Sequence, residues 1–192
     1  QLGATTGVGL EIRTHALPFL VSLRDKTQLN TQIAKLEDWK VVYLERVLGS
    51  KLPVSTPSRA GSILPAHCTA LGKSLLASRD LEQVTRWASE HPLERMTERT
   101  ITSVPALIAE ILETRARGYA VEYGEREEHI RCISAPVTDF SGQVVAAVSV
   151  SGTPDRFPDE LVGSETSEAV QSTAEQISLA LGSPNHRSTV RG

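Results

Sequence analysis

The stretch Ile130-Arg131-Cys132-Ile133-Ser134-Ala135-Pro136-Val137-Thr138-Asp139-Phe140-Ser141-Gly142-Gln143-Val144-Val145-Ala146-Ala147-Val148-Ser149-Val150-Ser151 decides the fold. Two arms rich in β-branched residues flank the turn-forming residues 139–143, which is the mark of an antiparallel hairpin. Side chains alternate between the faces of a strand, so the register fixes which residues share a face. A two-residue turn at Ser141-Gly142 sets Cys132 opposite Ser151 and Ser134 opposite Ser149. These four then lie on one face, and Ile133, Ala135, Val148 and Val150 lie on the other. One face is apolar core. The other carries small polar groups that leave room beside the sheet and can hydrogen-bond a small molecule in that room. A four-residue turn with an even pairing sum breaks this grouping, and Ser and Cys on strands also serve as plain packing or solvent-facing residues.

Outward from the hairpin, residues 119–122 read as a short strand. Before it, Ser103 caps a helix that carries Pro105 in its first turn and Leu107, Ile108, Ile111 and Leu112 as an apolar stripe. Arg115 and Arg117 sit at its C-terminal end, where the dipole favours cations, and Gly118 supplies the stop. A short helix is expected over residues 81–88. Thr69 is the N-cap of another helix, with Leu71, Leu75 and Leu76 at helical spacing. Residues 29–36 and 41–48 alternate as a second hairpin around Asp38-Trp39. A helix over residues 10–26 opens the chain, broken at Pro18 unless that residue lies in the first turn. Val162, Thr166, Val170, Ile177 and Leu181 mark one face of a last helix ending at Gly182. The expected fold is therefore α/β of the α+β kind, with a mainly antiparallel sheet bracketed by N- and C-terminal helices. Residues 1–182 form one domain, and residues 183–192 form a flexible tail.

Composition narrows the function. The chain has 192 residues, 40% hydrophobic and 22% charged, enough for one well-packed domain. Its formal charge is -3 and its Lys and Arg residues do not cluster, so it lacks the basic footprint that phosphate neutralisation requires. No apolar run approaches the roughly 18 residues of a membrane span. Cys68 and Cys132 lie far apart and form no CxxC pair, which suits a reducing cytoplasm rather than a disulfide framework.

Three features could carry chemistry. The helix starting at Thr69-Ala70-Leu71-Gly72-Lys73 offers unpaired N–H groups and a positive dipole end to an anion. It lacks the GxxxxGK of a phosphate loop, so a carboxylate fits better than a nucleotide, and a capped helix merely packed on the sheet accounts for the same residues. Glu122 ends a strand and can face the same space as Cys132, accepting a ligand hydroxyl; the acidic run Glu122, Glu125, Glu127 and Glu128 also reads as an ordinary solvated loop. Cys132 as a nucleophile needs a base. His129 is an odd number of residues away and projects to the opposite face of a regular strand, which leaves only His67. A metal site from His67, Cys68 and Cys132 lacks ligand spacing. The expectation is a sensor without turnover, cofactor or metal. The alternatives are a cysteine-dependent hydrolase using Cys132, and a non-ligand-binding oligomerisation module with a collapsed pocket.

Several segments in order carry a family resemblance. They are Val42-Tyr43-Leu44-Glu45-Arg46, Leu64-Pro65-Ala66-His67-Cys68-Thr69-Ala70-Leu71-Gly72-Lys73, Arg117-Gly118-Tyr119-Ala120, Arg131-Cys132-Ile133-Ser134-Ala135-Pro136-Val137 and Ala147-Val148-Ser149-Val150-Ser151-Gly152. Over residues 10–181 the chain resembles the effector-binding domain of IclR-type bacterial transcription regulators. The resemblance implies a GAF-like fold, a preceding winged helix-turn-helix domain that this chain lacks and that would carry operator DNA binding, and assembly as a homodimer or homotetramer. It implies an effector that is a small organic acid or aromatic metabolite. The effector-binding set carried over is Ala70, Leu71, Glu122, Cys132, Ser149 and Ser151, with backbone N–H groups near Leu71 holding the carboxylate and both serines donating hydroxyls. Three positions depart from the family pattern. Glu122 stands where Asp is common, His129 stands where Gly is common and is expected to restrict the loop, and Thr153-Pro154 shifts a Pro that often follows Ser-Gly.

Overall fold

A computed structural model describes residues 2–49 and 60–184. Helix α1, Leu2–Thr27, runs unbroken through Pro18. Ile12, Ala16, Leu20 and Leu23 form its buried stripe, and Pro18 lies on the exposed side. There the missing N–H faces away from the core and the helix continues through it. Strands β1, Asn30–Glu37, and β2, Lys40–Val47, form the expected hairpin. Its two-residue turn puts Asp38 at φ 47 and Trp39 at φ 60, the left-handed pair a type I′ turn requires. A large residue is strained in that region. Trp39 is held there by stacking on Trp87 of α3, Leu81–Glu90, with ring centroids 5.4 Å apart and planes 11° off parallel.

The remaining elements are β3, Ile63–Pro65, α2, Ala70–Ala77, α4, Val104–Arg117, β4, Ala120–Tyr123, β5, Arg131–Thr138, β6, Val144–Gly152, a 3-10 turn at Pro154–Arg156, and α5, Glu165–Ala180. Thr69, Asp80, Ser103 and Ser164 each cap a helix start with a side-chain oxygen. Gly118, at φ 87, ends α4 as the sequence requires. Along α5 the buried face is Ser167, Val170, Ala174 and Ile177, whereas Val162 lies before the helix and is 40% exposed.

The six strands form one antiparallel sheet in the order β3-β2-β1-β6-β5-β4. Helices α1 and α5 cover one face over Ile133, Ala135, Val148 and Val150, and α2 with α3 and α4 covers the other over Ala34, Val41 and Ala147. This is the α+β, GAF-like architecture expected.

The β5–β6 register is reached by an indirect route. At the tip, Thr138 pairs with Val144 around residues 139–143, an even sum. The Asp139 carboxylate accepts from the Ser141 N–H at 2.8 Å, and the Gly142 N–H donates to the Asp139 carbonyl at 2.9 Å. The register shift after Val137, with Val145 as the extra residue, then restores the odd sum. Cys132 pairs with Ser151 and Ser134 with Ser149, as the two-residue-turn reading predicts, though the turn itself is longer. Of the expected tail, Ser183 donates its N–H to Ser178 O at 2.9 Å, and its hydroxyl meets that of Thr138 at 2.7 Å. Residues 185–192 lie outside the described residues.

Candidate functional site

Ala70, Leu71, Glu122, Cys132, Ser149 and Ser151 all line one cavity between the sheet and the start of α2. The cavity encloses about 40 Å³, within about 490 Å³ of atom-free space that reaches the solvent. Ser134 shares their sheet face but lies under α2, where its carbonyl accepts from the Ser74 hydroxyl at 2.9 Å. The lining also includes Gln32 and Tyr43, Arg46 at the end of β2, and Arg126, Glu127 and Ile130 from the loop before β5.

Helix α2 reaches this wall because nothing but hydrogen fits at Gly72. A Cβ there would lie 2.0 Å from the Ala66 carbonyl oxygen. The Thr69 hydroxyl accepts from the Gly72 N–H at 3.1 Å, and the Lys73 N–H closes the first turn on the Thr69 carbonyl at 2.9 Å. The N–H groups of Ala70 and Leu71 have no intrahelical acceptor and remain at the cavity wall.

Opposite, β1 and β6 place Gln32 beside Ser149 and one register step from Ser151. The Ser149 hydroxyl donates to Gln32 Oε1 at 2.8 Å, and Gln32 Nε2 donates to the Ser151 oxygen at 2.7 Å. The two serines are thus not equivalent donors. Ser149 has spent its proton and offers a lone pair, while Ser151 keeps its proton for a ligand. Gln32 was not legible from sequence because its signal is cross-strand. It emerges only once β1 is known to pair with β6.

Glu122 is buried, and its Oε1 accepts from the backbone N–H groups of Glu125 and, at 3.2 Å, of Arg126. It also meets the Cys132 thiol. The carboxylate therefore organises the loop after β4, with Thr97 and Thr100 hydroxyls holding the Glu125 carbonyl from below at 3.2 and 2.6 Å. Within this loop Gly124 takes the left-handed conformation at φ 75. His129 is exposed and does not adopt the positive φ that a Gly would have opened at that position.

Burial raises Glu122 from the ordinary 4.5 to about 7, with Glu125 pushing the same way against the three donors. A carboxyl that holds its proton more tightly folded than unfolded adds stability fully below the unfolded value and loses it as pH rises through the folded one. Wild-type protein should thus lose on the order of 3 kcal/mol from this group between about pH 4.5 and pH 8. Urea unfolding across that range should show a flatter profile for Glu122→Gln; an unchanged slope would remove Glu122 as the titrating group.

Cys132 is partly exposed and lines the cavity, and burial with the adjacent Glu122 raises its thiol well above the ordinary range. Cys68 is fully buried and pushed up to about 12. A nucleophilic thiol needs the reverse environment. His67 is turned away, its Nε2 on the Glu94 carbonyl at 2.9 Å, and His129 lies in the exposed loop rather than on the strand. Among the described residues no group of His, Cys, Asp and Glu is arranged to hold a metal.

Behind the cavity, the fully buried Lys73 of α2 pairs with Glu125 at 2.7 Å and with Glu110 of α4 at 3.0 Å. The two carboxylates hold Lys73 above its ordinary value against the pull of burial, so it stays charged.

The cavity is thus walled by hydroxyls, the start of α2 and a thiol that burial and Glu122 hold in its neutral form. The comparisons name the chain's family. The model of the bacterial transcriptional regulator IclR C-terminal domain matches residues 5–179, and the chain belongs to the IclR family of transcriptional regulators, which are not enzymes. The chain is 32% identical over 175 residues to the HTH-type transcriptional regulator XynR of Escherichia coli K12, covering 91% of this chain and 69% of XynR. The crystal structure of Thermotoga maritima IclR superposes with TM-score 0.82 at 33% identity, over 89% of this chain and 68% of that one. An IclR homolog from Microbacterium hydrocarbonoxydans complexed with 4-hydroxybenzoate gives TM-score 0.81 at 28% identity, over 90% and 69% of the two chains. No helix among the described residues is long and apolar enough to cross a membrane.

Proposed function

We propose that this chain is the effector-sensing part of a cytoplasmic transcriptional regulator, and that its cavity binds a small organic acid. The observation that carries this reading is the polar array facing the α2 start across the cavity. The carboxylate docks on the Ala70 and Leu71 N–H groups at the positive end of the helix. A hydroxyl on the ligand accepts from the Ser151 hydroxyl and donates to the Ser149 oxygen, whereas an oxo group accepts from Ser151 alone. Leu71 and Cys132 supply wall, and Glu122 holds the loop in place. The Microbacterium homolog's 4-hydroxybenzoate is an acid of this description, with a hydroxyl remote from its carboxylate.

In the full-length regulator, effector binding would shift operator affinity through a winged helix-turn-helix domain, with a coupling free energy of about 1–3 kcal/mol. The working form would be a homodimer or homotetramer, which sedimentation of the purified chain tests. The site is tested by a thermal-shift screen of aliphatic and aromatic carboxylates. At one hundred times Kd a ligand adds about 2.7 kcal/mol, which raises Tm by roughly 5–10 °C in a domain of this size. Ser151→Ala should weaken a hydroxyl-bearing acid about fivefold, the worth of one hydrogen bond. No shift with any acid would end the proposal.

A further inference from the structure

The polar array and the helix start account for a carboxylate and a hydroxyl on the ligand, and leave one buried acid in the lining without a counter-charge. Glu122, only 2% exposed, lines the same cavity as Ala70 and Leu71 at the start of α2. Both loop N–H groups that it accepts go to Oε1, and neither goes to Oε2. The cations around it face other groups. Arg126 Nη1, from the loop, holds Glu127 at 2.5 Å. Lys73 of α2 lies between Glu125 and Glu110 at 2.7 and 3.0 Å, and Glu110 of α4 is also 4.0 Å from Arg117. Arg46 of β2 stands in the field of Tyr43, Glu127 and Cys132. Cys132 of β5 and Cys68 before α2 are thiols raised by burial, and they supply no positive charge. Among the described residues no ion pair joins a cation to Glu122, and no histidine lines the cavity.

An acid docked at the start of α2 therefore meets a second carboxylate in a space that encloses about 40 Å³. Two like charges confined so closely do not both persist, and such a pair shares a proton. We propose that Glu122 is the proton-donating partner of the effector: Oε1 keeps the loop in place, while Oε2 takes a proton from solvent as the anion enters and donates it to a carboxylate oxygen of the ligand. One proton and one anion enter together, so the net charge of the site is unchanged. The neutral carboxyl is the form this position already favours, because burial and Glu125 raise Glu122 to about 7. A ligand anion beside it raises it further. A protonated carboxyl donates where an ionised one only accepts, so this wall of the cavity selects an acceptor on the ligand.

The proton role rests on the carboxylate site proposed above, and titration calorimetry of the full chain separates the two. The probes are lactate and 4-hydroxybenzoate, whose carboxylates stay ionised from pH 6 to pH 8. Above about pH 7 Glu122 must gain the proton that binding needs, and below it the proton is already in place. Wild type should therefore bind its acid about tenfold more weakly at pH 8 than at pH 6. At about pH 7.5, comparison of HEPES with Tris, which differ in ionisation enthalpy, should show uptake of about three-quarters of a proton per acid bound. Glu122→Gln keeps an acceptor for the loop and presents an N–H donor in place of the carboxyl proton. It should bind at pH 8 within about threefold of wild type at pH 6, and take up no proton. Wild-type binding that is independent of pH and buffer overturns the proton role while the carboxylate site stands. So does a Glu122→Gln that keeps the wild-type pH dependence, or one that folds but does not bind at pH 6. The wild-type measurements decide alone if that variant does not fold. Failure of the two acids at pH 6 overturns the carboxylate site and the proton role together.

Discussion

Gly72→Ala is expected to be the most damaging single methyl in this domain. The new Cβ would sit 2.0 Å from the Ala66 carbonyl oxygen, 2.4 Å from its Cα and 2.5 Å from its carbonyl carbon. All three are backbone atoms, so no rotamer change relieves the clash. Helix α2 must retreat from the segment that carries its own cap, Thr69, and from β3. The opposing effect is known: Gly→Ala inside a helix gains about 1 kcal/mol from propensity. Overpacking against backbone should exceed this, for a net loss of about 3 kcal/mol or more out of a total stability of roughly 5–15. Gly7 supplies the control, because in α1 its added Cβ meets nothing within 4 Å. Gly7→Ala should be neutral or stabilising by up to about 1 kcal/mol. Urea unfolding of both variants decides the matter, and a Gly72→Ala midpoint at or above wild type would disprove the clash.

Lys73→Met is the second large effect. Lys73 is 1% exposed, and its removal leaves Glu125 and Glu110 facing each other without the cation between them. Glu125 Oε1 is already buried without a partner among the described residues. Breaking one side of a buried ion pair costs about 3–5 kcal/mol. The sign of the pH dependence follows from the stranded carboxylates. Burial already pushes Glu125 up against the pull of Lys73, and without Lys73 it rises further. The folded variant then binds a proton the unfolded chain does not, so part of the lost stability should return as pH falls from 8 to 5. Adding Glu125→Gln should recover part of it at pH 8. A cost below about 1 kcal/mol, or one equal at both pH values, would contradict this account.

Much of the fold is written locally. Caps at Thr69 and Ser103, the Gly118 stop and the Asp38-Trp39 turn are short-range signals, and each forms where its residues predict. Strand parity alone puts Ser149 and Ser151 on one face, but Cys132 joins them only because the bulge at Val145 corrects the even register of the tip. What was hidden depends on partners distant in sequence. Strand β3 is three residues long and exists by pairing with β2. Pro18 reads as a break until the tertiary fold shows that it faces outward. Gln32, Arg46 and Arg126 reach the cavity from three separate elements, and no spacing along the chain relates them. The loop N–H groups that Glu122 Oε1 accepts come from a segment whose path the sequence does not disclose.

The bulged residue Val145 has a bearing on evolution. It separates the hairpin tip from the rungs below it, and those rungs alone set Cys132 against Ser151. A chain lacking position 145 would close into a regular ladder with Cys132 still facing the same serine. A chain with a shorter tip would need only to drop the bulge. A one-residue difference at the tip of this hairpin thus leaves the recognition face unchanged, and a gap at the tip in an alignment of relatives would not by itself mark a change in what they detect.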